Sequence, residues 1–387
     1  MAEIDKALPN IKKSTIELPG EDKITEAIAQ QINQEQEAPD NIEIIQTEEG
    51  GAEVSFDPSK AMAEGSENHF ANLAEYLEDD VLGPLGSELK GMYLDYKSSR
   101  KDWEESYTKG LDLLGFKYED RGEPFQGASG ATHPVLAEAV TQFQSLAYKE
   151  LLPASGPVRT QIIGAPSTAK EQQSERVKEF MNYQLMSEMR EYEQEFDQML
   201  FYLPLSGSTF KKVYYDELLG RAVSKFVPAD DLLVPYSATS LEDADSIIHK
   251  INISENDLKK QQVGGFYRDI ELGDASDMDD SIAEKERELD GIRKADNSSD
   301  MYTLLECHVD LDLDGFQDEN PDTGEATEIK LPYIVTIEEG SREVLSIRRN
   351  YEAQDPKKKR INYFTHFKFL TGLGFYGFGF IHMIGGL

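Results

Sequence analysis

The sequence predicts an α+β fold, with helices first and antiparallel strands after them. Between Asn68 and about residue 201, apolar side chains recur at spacings of three and four, the period of a helix face. From Thr209 onward the recurrence shortens to two, and turn residues separate the runs, the pattern of paired strands. The chain has 387 residues, 39% of them hydrophobic, enough for a core.

Residues 1–65 precede this pattern and read as an acidic, disordered arm. Up to Lys60 there are 14 Asp+Glu against 5 Lys+Arg, and Phe56 is the one aromatic residue. Such a segment buries too little apolar area to offset its ordering entropy. Residues 66–208 form the helical part. Phe70, Leu73, Leu77 and Val81 mark a first helix, with Gly83-Pro84 as its expected stop. Leu89, Met92, Tyr93, Tyr96, Trp103, Tyr107, Leu111 and Leu114 mark a second stripe, with a step of seven after Tyr96. Thr132, His133 and Pro134 open a helix that ends at Pro153, Thr being a good cap and Pro tolerable in a first turn. Thr168 with Glu171 has the spacing of a capping box for one long helix over about 169–201, stopped by Pro204 and Ser206-Gly207-Ser208.

Residues 209–268 read as a hairpin (Thr209 to Asp216 and Arg221 to Pro228), a strand (Ile247 to Ile253) and a short helix opened by Ser254 and closed at Gly264-Gly265. Residues 269–300 are an acidic surface excursion, with a solvated helical piece over Ile282 to Lys294. Residues 301–364 hold strands at Tyr302–Leu313, Ile329–Glu338 and Glu343–Asn350, the last two joined at Gly340-Ser341. Residues 365–387 form a Gly/aromatic segment.

The charge balance, 74 Asp+Glu against 39 Lys+Arg for a net −35, argues against clamping of a phosphate backbone, which needs a basic face. A single cysteine, Cys307, excludes an internal disulfide framework and multi-cysteine metal sites. No catalytic, cofactor-binding or metal-ligating residue is assigned. The glycine loop Gly127-Ala128-Ser129-Gly130-Ala131 lacks the Lys-Ser/Thr ending of a phosphate loop. Asp310, Asp312, Asp314 and Gly315 open like a calcium loop, but Pro321 stands where the twelfth-position Glu is needed, so a polar turn is the expected reading. Asp318, Glu319 and Asp322 leave a weak divalent site, and with it a metal-dependent hydrolase or nucleotidyl enzyme, as an alternative. Lys357-Lys358-Lys359-Arg360 is the one dense basic run, read as a solvated loop or as a contact to phosphate or an acidic partner. His69, His133, His249, His308, His366 and His382 follow no metal-binding spacing, and His366 and His382 read as packed. Phe369 to Leu387 carries no formal charge over 19 residues, but its six glycines make it a poor spanning helix. A membrane-attached adaptor is the alternative that rests on it.

Four stretches carry a resemblance. They are GEPFQGASGATHPVLAEAVTQFQSLAYKELLPASGPVR (122–159), DDLLVPYSATSLEDADSIIHKINISENDLKKQQVGGFYRD (230–269), KLPYIVTIEEGSREVLSIRRNY (330–351) and GFYGFGFIHMIGG (374–386). Together they resemble the portal (head–tail connector) proteins of short-tailed, podovirus-type bacteriophages, over residues 68 to 387. The resemblance implies a portal-type fold, here mainly the helical wing region with inserted antiparallel hairpins. It implies a homo-oligomeric ring, usually dodecameric, at the unique capsid vertex of the virion, assembled in the host cytoplasm. Double-stranded DNA passes through such a ring without sequence-specific binding. The implied partners are the large terminase subunit, scaffolding and capsid proteins, and tail adaptors. No enzymatic activity, cofactor or membrane is implied. Because family members continue into stem, clip and crown, the chain is expected to be C-terminally truncated, with 365–387 approaching the first stem helix.

Overall fold

The computed structural model describes residues 42–46, 52–56, 69–114, 134–216, 219–273, 275, 281–291, 301–318 and 326–384. The chain divides into two units, residues 1–69 and 70–387.

In the first unit, β1 (Ile42–Gln46) pairs antiparallel with β2 (Ala52–Phe56), placing Ile44 opposite Val54. These strands depart from the expected unbroken disordered arm; β-branched Ile42, Ile44, Ile45 and Val54 suit an extended ladder. The rest of the arm lies outside the described residues.

In the second unit, a 3₁₀ turn (Leu73–Glu75) precedes α1 (Asp79–Ser99) and α2 (Lys101–Asp112). The expected stop at Gly83-Pro84 does not stop α1, which runs through it. Pro84 removes one hydrogen bond near the helix start. Leu82, Leu85, Leu89 and Tyr93 still bury one continuous face. The seven-residue step in the second stripe marks a real break at Arg100, between α1 and α2.

Next come α3 (Val135–Leu151), α4 (Thr168–Tyr183) and α5 (Tyr192–Ser206). The expected single helix over 169–201 is therefore two. A π turn at Gln184–Glu188 ends at Met189, whose φ/ψ of −83°/78° is not helical. The cap of α4 is Ser167, not Thr168: the Ser167 side chain accepts from Lys170 N. Pro204 lies inside α5, which stops only at Gly207, in the left-handed region at φ 87°.

Two antiparallel sheets complete the unit. One has the order β10 (Phe364–Lys368), β3 (Ser208–Asp216), β4 (Arg221–Pro228). The other has the order β5 (Leu232–Leu233), β6 (Ile247–Ile253), β7 (Tyr302–Leu311), β8 (Leu331–Glu338), β9 (Val344–Arg349). Between β6 and β7 in sequence lie α6 (Glu255–Val263) and α7 (Ser281–Leu289); α8 (Phe380–Ile384) follows β10. The architecture is α+β, as the period change predicts.

Alternation along β7 fixes the layers. Leu305, Cys307 and Val309 pack with Leu82, Leu85, Leu89 and Tyr93 of α1 in one core cluster. On the opposite face, Leu304 packs with Leu258 of α6, whereas Glu306 and His308 reach the three-stranded sheet. Edge strand β9 is covered by Asn72. Its amide donates to Leu345 O at 3.1 Å and accepts from Ile347 N at 2.9 Å. The β8–β9 turn places its left-handed residue at Arg342 (φ 66°), not at Gly340. The Glu338 carboxylate accepts from Gly340 N and Ser341 N and holds the turn.

The acidic excursion is not wholly solvated. In α7, Ile282 is buried with Tyr107, Leu136, Val140 and Leu205, contributed by α2, α3 and α5. Lys285 ties α7 to α2 through Asp112 at 2.6 Å.

Candidate functional site

Four features could carry function: the Gly/aromatic C-terminal run, the acidic turn with the basic run, the buried histidine network and the exposed face of α4.

The Gly/aromatic run is threaded into the fold. After β10, Leu370 bridges Phe378, and Phe380–Ile384 makes one short helix. Gly377 and Gly379 cross the end of α5. A Cβ on Gly377 would lie 2.5 Å from Gly207 O, and one on Gly379 would lie 2.2 Å from Leu205 O. Glycine is required there because two backbones touch. Gly377 N donates to Ser208 Oγ at 2.7 Å. Phe375 and Ile381 are buried. Among the described residues no helix is long and apolar enough to cross a membrane.

Arg100, at the α1–α2 break, locks this run in place. Its guanidinium donates to Ala229 O and Leu232 O at 3.1 Å and to the Tyr376 hydroxyl at 3.2 Å, and also to Asp230 O. It is ion-paired with Glu104 at 2.7 Å. Trp103 stacks on Tyr376 with ring centroids 4.8 Å apart. Nothing in the sequence pattern singles out Arg100, since its partners are mostly main-chain carbonyls remote in sequence.

The acidic turn and the basic run meet. Lys358 pairs with Asp318, which also accepts from Thr327 Oγ1 at 2.6 Å. Hydrogen bonds from Lys358 and Thr327 hold the Asp318 carboxyl below its ordinary value. Arg360 donates to Ala244 O at 3.0 Å. The Asp355 carboxylate accepts from the backbone N–H groups of Lys357 and Lys359, and this shapes the turn. Lys357 and Lys359 are exposed. Of the acidic side chains, Asp310, Asp312 and Asp314 are exposed, while Glu319, Pro321 and Asp322 lie outside the described residues. Among the described residues no three His, Cys, Asp or Glu side chains are placed to hold a metal ion. The glycine loop at 127–131 and His133 also lie outside them.

Two of the histidines belong to a buried charge network that their sequence spacing does not reveal. Glu306 on β7 receives Lys212 Nζ from β3, 2.6 Å from each carboxylate oxygen. His308 Nε2 lies 2.9 Å from Glu306 Oε1, and Asn350 Nδ2 faces His308 Nδ1 at 3.5 Å. That pattern fits a neutral ring with its proton on Nε2. His249 Nδ1 is 3.9 Å from Glu306. Burial pushes the Glu306 carboxyl up, but Lys212 and the two histidines outweigh it and hold it well below the usual carboxylate range. Burial lowers His308 by more than Glu306 raises it. The network joins the two sheets through Lys212 on β3 and Glu306 on β7. His366 packs against Phe210 and Phe375, and burial pushes it down to about 3. His382 Nδ1 accepts from Gly379 N.

Two carboxyls are shifted the other way: partial burial raises Asp310, and Glu286 is raised further. Burial, with the charge of Asp231 next, pushes Glu286 of α7 up to about 7. Its Oε1 accepts from the Tyr107 hydroxyl at 3.4 Å.

Helix α4 differs from the other described α-helices in burying none of its residues. Val177, Phe180, Met181 and Tyr183 are exposed, and so is Met186 just beyond it. The helix leans on the extended segment 155–162 through Ser174–Thr160 (2.8 Å) and Asn182–Val158 (2.9 and 3.2 Å). The open groove between them, about 500 Å³, is lined by Arg159, Thr160, Glu171, Glu175 and Lys178 among others. Val177, Phe180 and Met181, which share one helix face by their spacing, are not buried within the chain.

A scan against protein-family models finds no match to this chain, and a search of curated proteins finds none either.

Proposed function

We propose that this chain is a structural subunit of a bacteriophage portal ring, carrying mainly the wing region of a portal-type fold. The observation that carries the reading is the resemblance of four separate segments, 122–159, 230–269, 330–351 and 374–386, to portal proteins of podovirus-type phages. In this reading the ring sits at the unique capsid vertex of the virion. It conducts double-stranded DNA during packaging and ejection. It docks the large terminase subunit and later the tail adaptors, and it meets capsid and scaffolding proteins during assembly. It performs no catalysis of its own.

Two physical observations support the reading. A net charge of −35 suits a wall past which DNA slides, because an acidic surface offers no phosphate clamps to stall translocation. The exposed apolar face of α4 suits a chain that functions only in contact with other chains. The experiment is mass measurement by light scattering on the purified protein across micromolar concentrations. The expected result is a discrete species many times the 43.6 kDa chain. A single 43.6 kDa species at every concentration, with capsid scaffold supplied as well, overturns the proposal.

A further inference from the structure

We infer that the exposed face of α4 is a contact surface for a second copy of this chain. The inference rests on the ring reading and names the surface through which part of the ring is built.

A sixteen-residue helix rises about 24 Å, and with no buried residue it draws little stability from the rest of the fold. Its contacts are polar tethers to the segment 155–162, so its apolar side chains are left uncovered. Phe180 is 61% exposed, and Ile163, on the segment leading to the helix, is 93% exposed. Val177, Phe180 and Met181 fall at i, i+3 and i+4, one contiguous strip, and Tyr183 and Met186 extend it.

Charge selects the occupant. The chain carries −35 overall, so two copies repel across most surfaces they could present to each other. The helix α4 is an exception. Lys170, Arg176 and Lys178 balance Glu171, Glu175 and Glu179, giving 3 − 3 = 0. A basic partner would be drawn to the acidic surfaces, not to this neutral strip. A neutral, mixed-sign, apolar strip is where two like-charged copies can approach without penalty, and the six charges can re-pair across the contact.

The test uses the full chain with a photo-crosslinking benzoylphenylalanine in place of Phe180. Alongside it, Phe180→Glu and the control Val263→Glu are compared with wild type by light scattering and electron microscopy. Val263 is also strongly exposed, but it lies on α6. The expected results are a crosslinked product at twice 43.6 kDa, self-association weakened at least tenfold by Phe180→Glu, and no change with Val263→Glu. Circular dichroism checks that Phe180→Glu keeps the fold. Rings that persist in Phe180→Glu, with crosslinking only within one chain, overturn the α4 contact and leave the ring reading standing. Wild-type protein that stays a single chain overturns both.

Discussion

Lys212 and Glu306 are 94 residues apart and meet with both carboxylate oxygens 2.6 Å from the ammonium. Neither is marked in the sequence: each sits at an ordinary strand position, and only the stacking of the two sheets brings them together. Removing one partner strands the other as a buried charge, which typically costs about 3–5 kcal/mol. Lys212→Met is therefore expected to lower the urea unfolding midpoint sharply, whereas Lys212→Met with Glu306→Leu recovers most of the loss. Equal loss in both variants would mean that the pair contributes packing alone. Glu286 is also invisible to sequence reading, which places it in a solvated excursion. Its carboxyl is raised from the ordinary 4.5 to about 7, so the folded state binds more protons than the unfolded state between those values. Stability then falls as pH rises from about 4.5 to about 7, by a few kcal/mol at most. Glu286→Gln should flatten that slope and stabilise the protein at pH 8. An unchanged slope would contradict the burial of this carboxyl.

At the scale of elements, much of the strand pattern was legible. Period two, with Leu219-Gly220 between the runs, locates the β3–β4 hairpin to within one residue, β3 beginning at Ser208 and not at Thr209. Ser254 and Gly264-Gly265 bracket α6 because cap chemistry is local. Proline misled twice. Pro84 and Pro204 read as stops, yet both lie inside helices, because the burial of Leu82, Leu85, Leu89 and of Met199, Leu200, Leu205 outweighs one lost hydrogen bond. In the uncharged run from Phe369 the described residues hold one short helix, Phe380–Ile384, and Gly372, Gly377 and Gly379 owe their place to backbone contacts that no local pattern records. Glycines in α1 give a direct test of that lesson. Gly83 has open space around its would-be Cβ, whereas one on Gly86 would meet Arg342 O at 2.1 Å. Gly83→Ala should stabilise by about 0.5–1 kcal/mol through helix propensity. Gly86→Ala should destabilise by about 1–3 kcal/mol as the β8–β9 turn is pushed away. Thermal unfolding of the two variants reads the signs; the same sign for both would refute the close packing of α1 on that turn.

For the whole molecule, the acidic balance and the resemblance of four segments are the only parts of the functional reading that the sequence carries, and both concern extended surfaces. Among the described residues no cluster of His, Cys, Asp or Glu able to hold a metal ion stands in for them. The two motifs that looked most like chemistry, the Asp310–Asp322 turn and the Lys357–Arg360 run, partly neutralise each other through Asp318 and Lys358. What could not be read was that α4 leaves its apolar strip uncovered, since the same spacing would serve equally for a core helix. A chain with this charge and this strip is expected to act as one of many copies. The most direct test is electron microscopy of the purified protein. Closed rings with a central hole wide enough for duplex DNA are the predicted result. Compact particles of one 43.6 kDa chain, unchanged by concentration or by scaffold, would contradict the account.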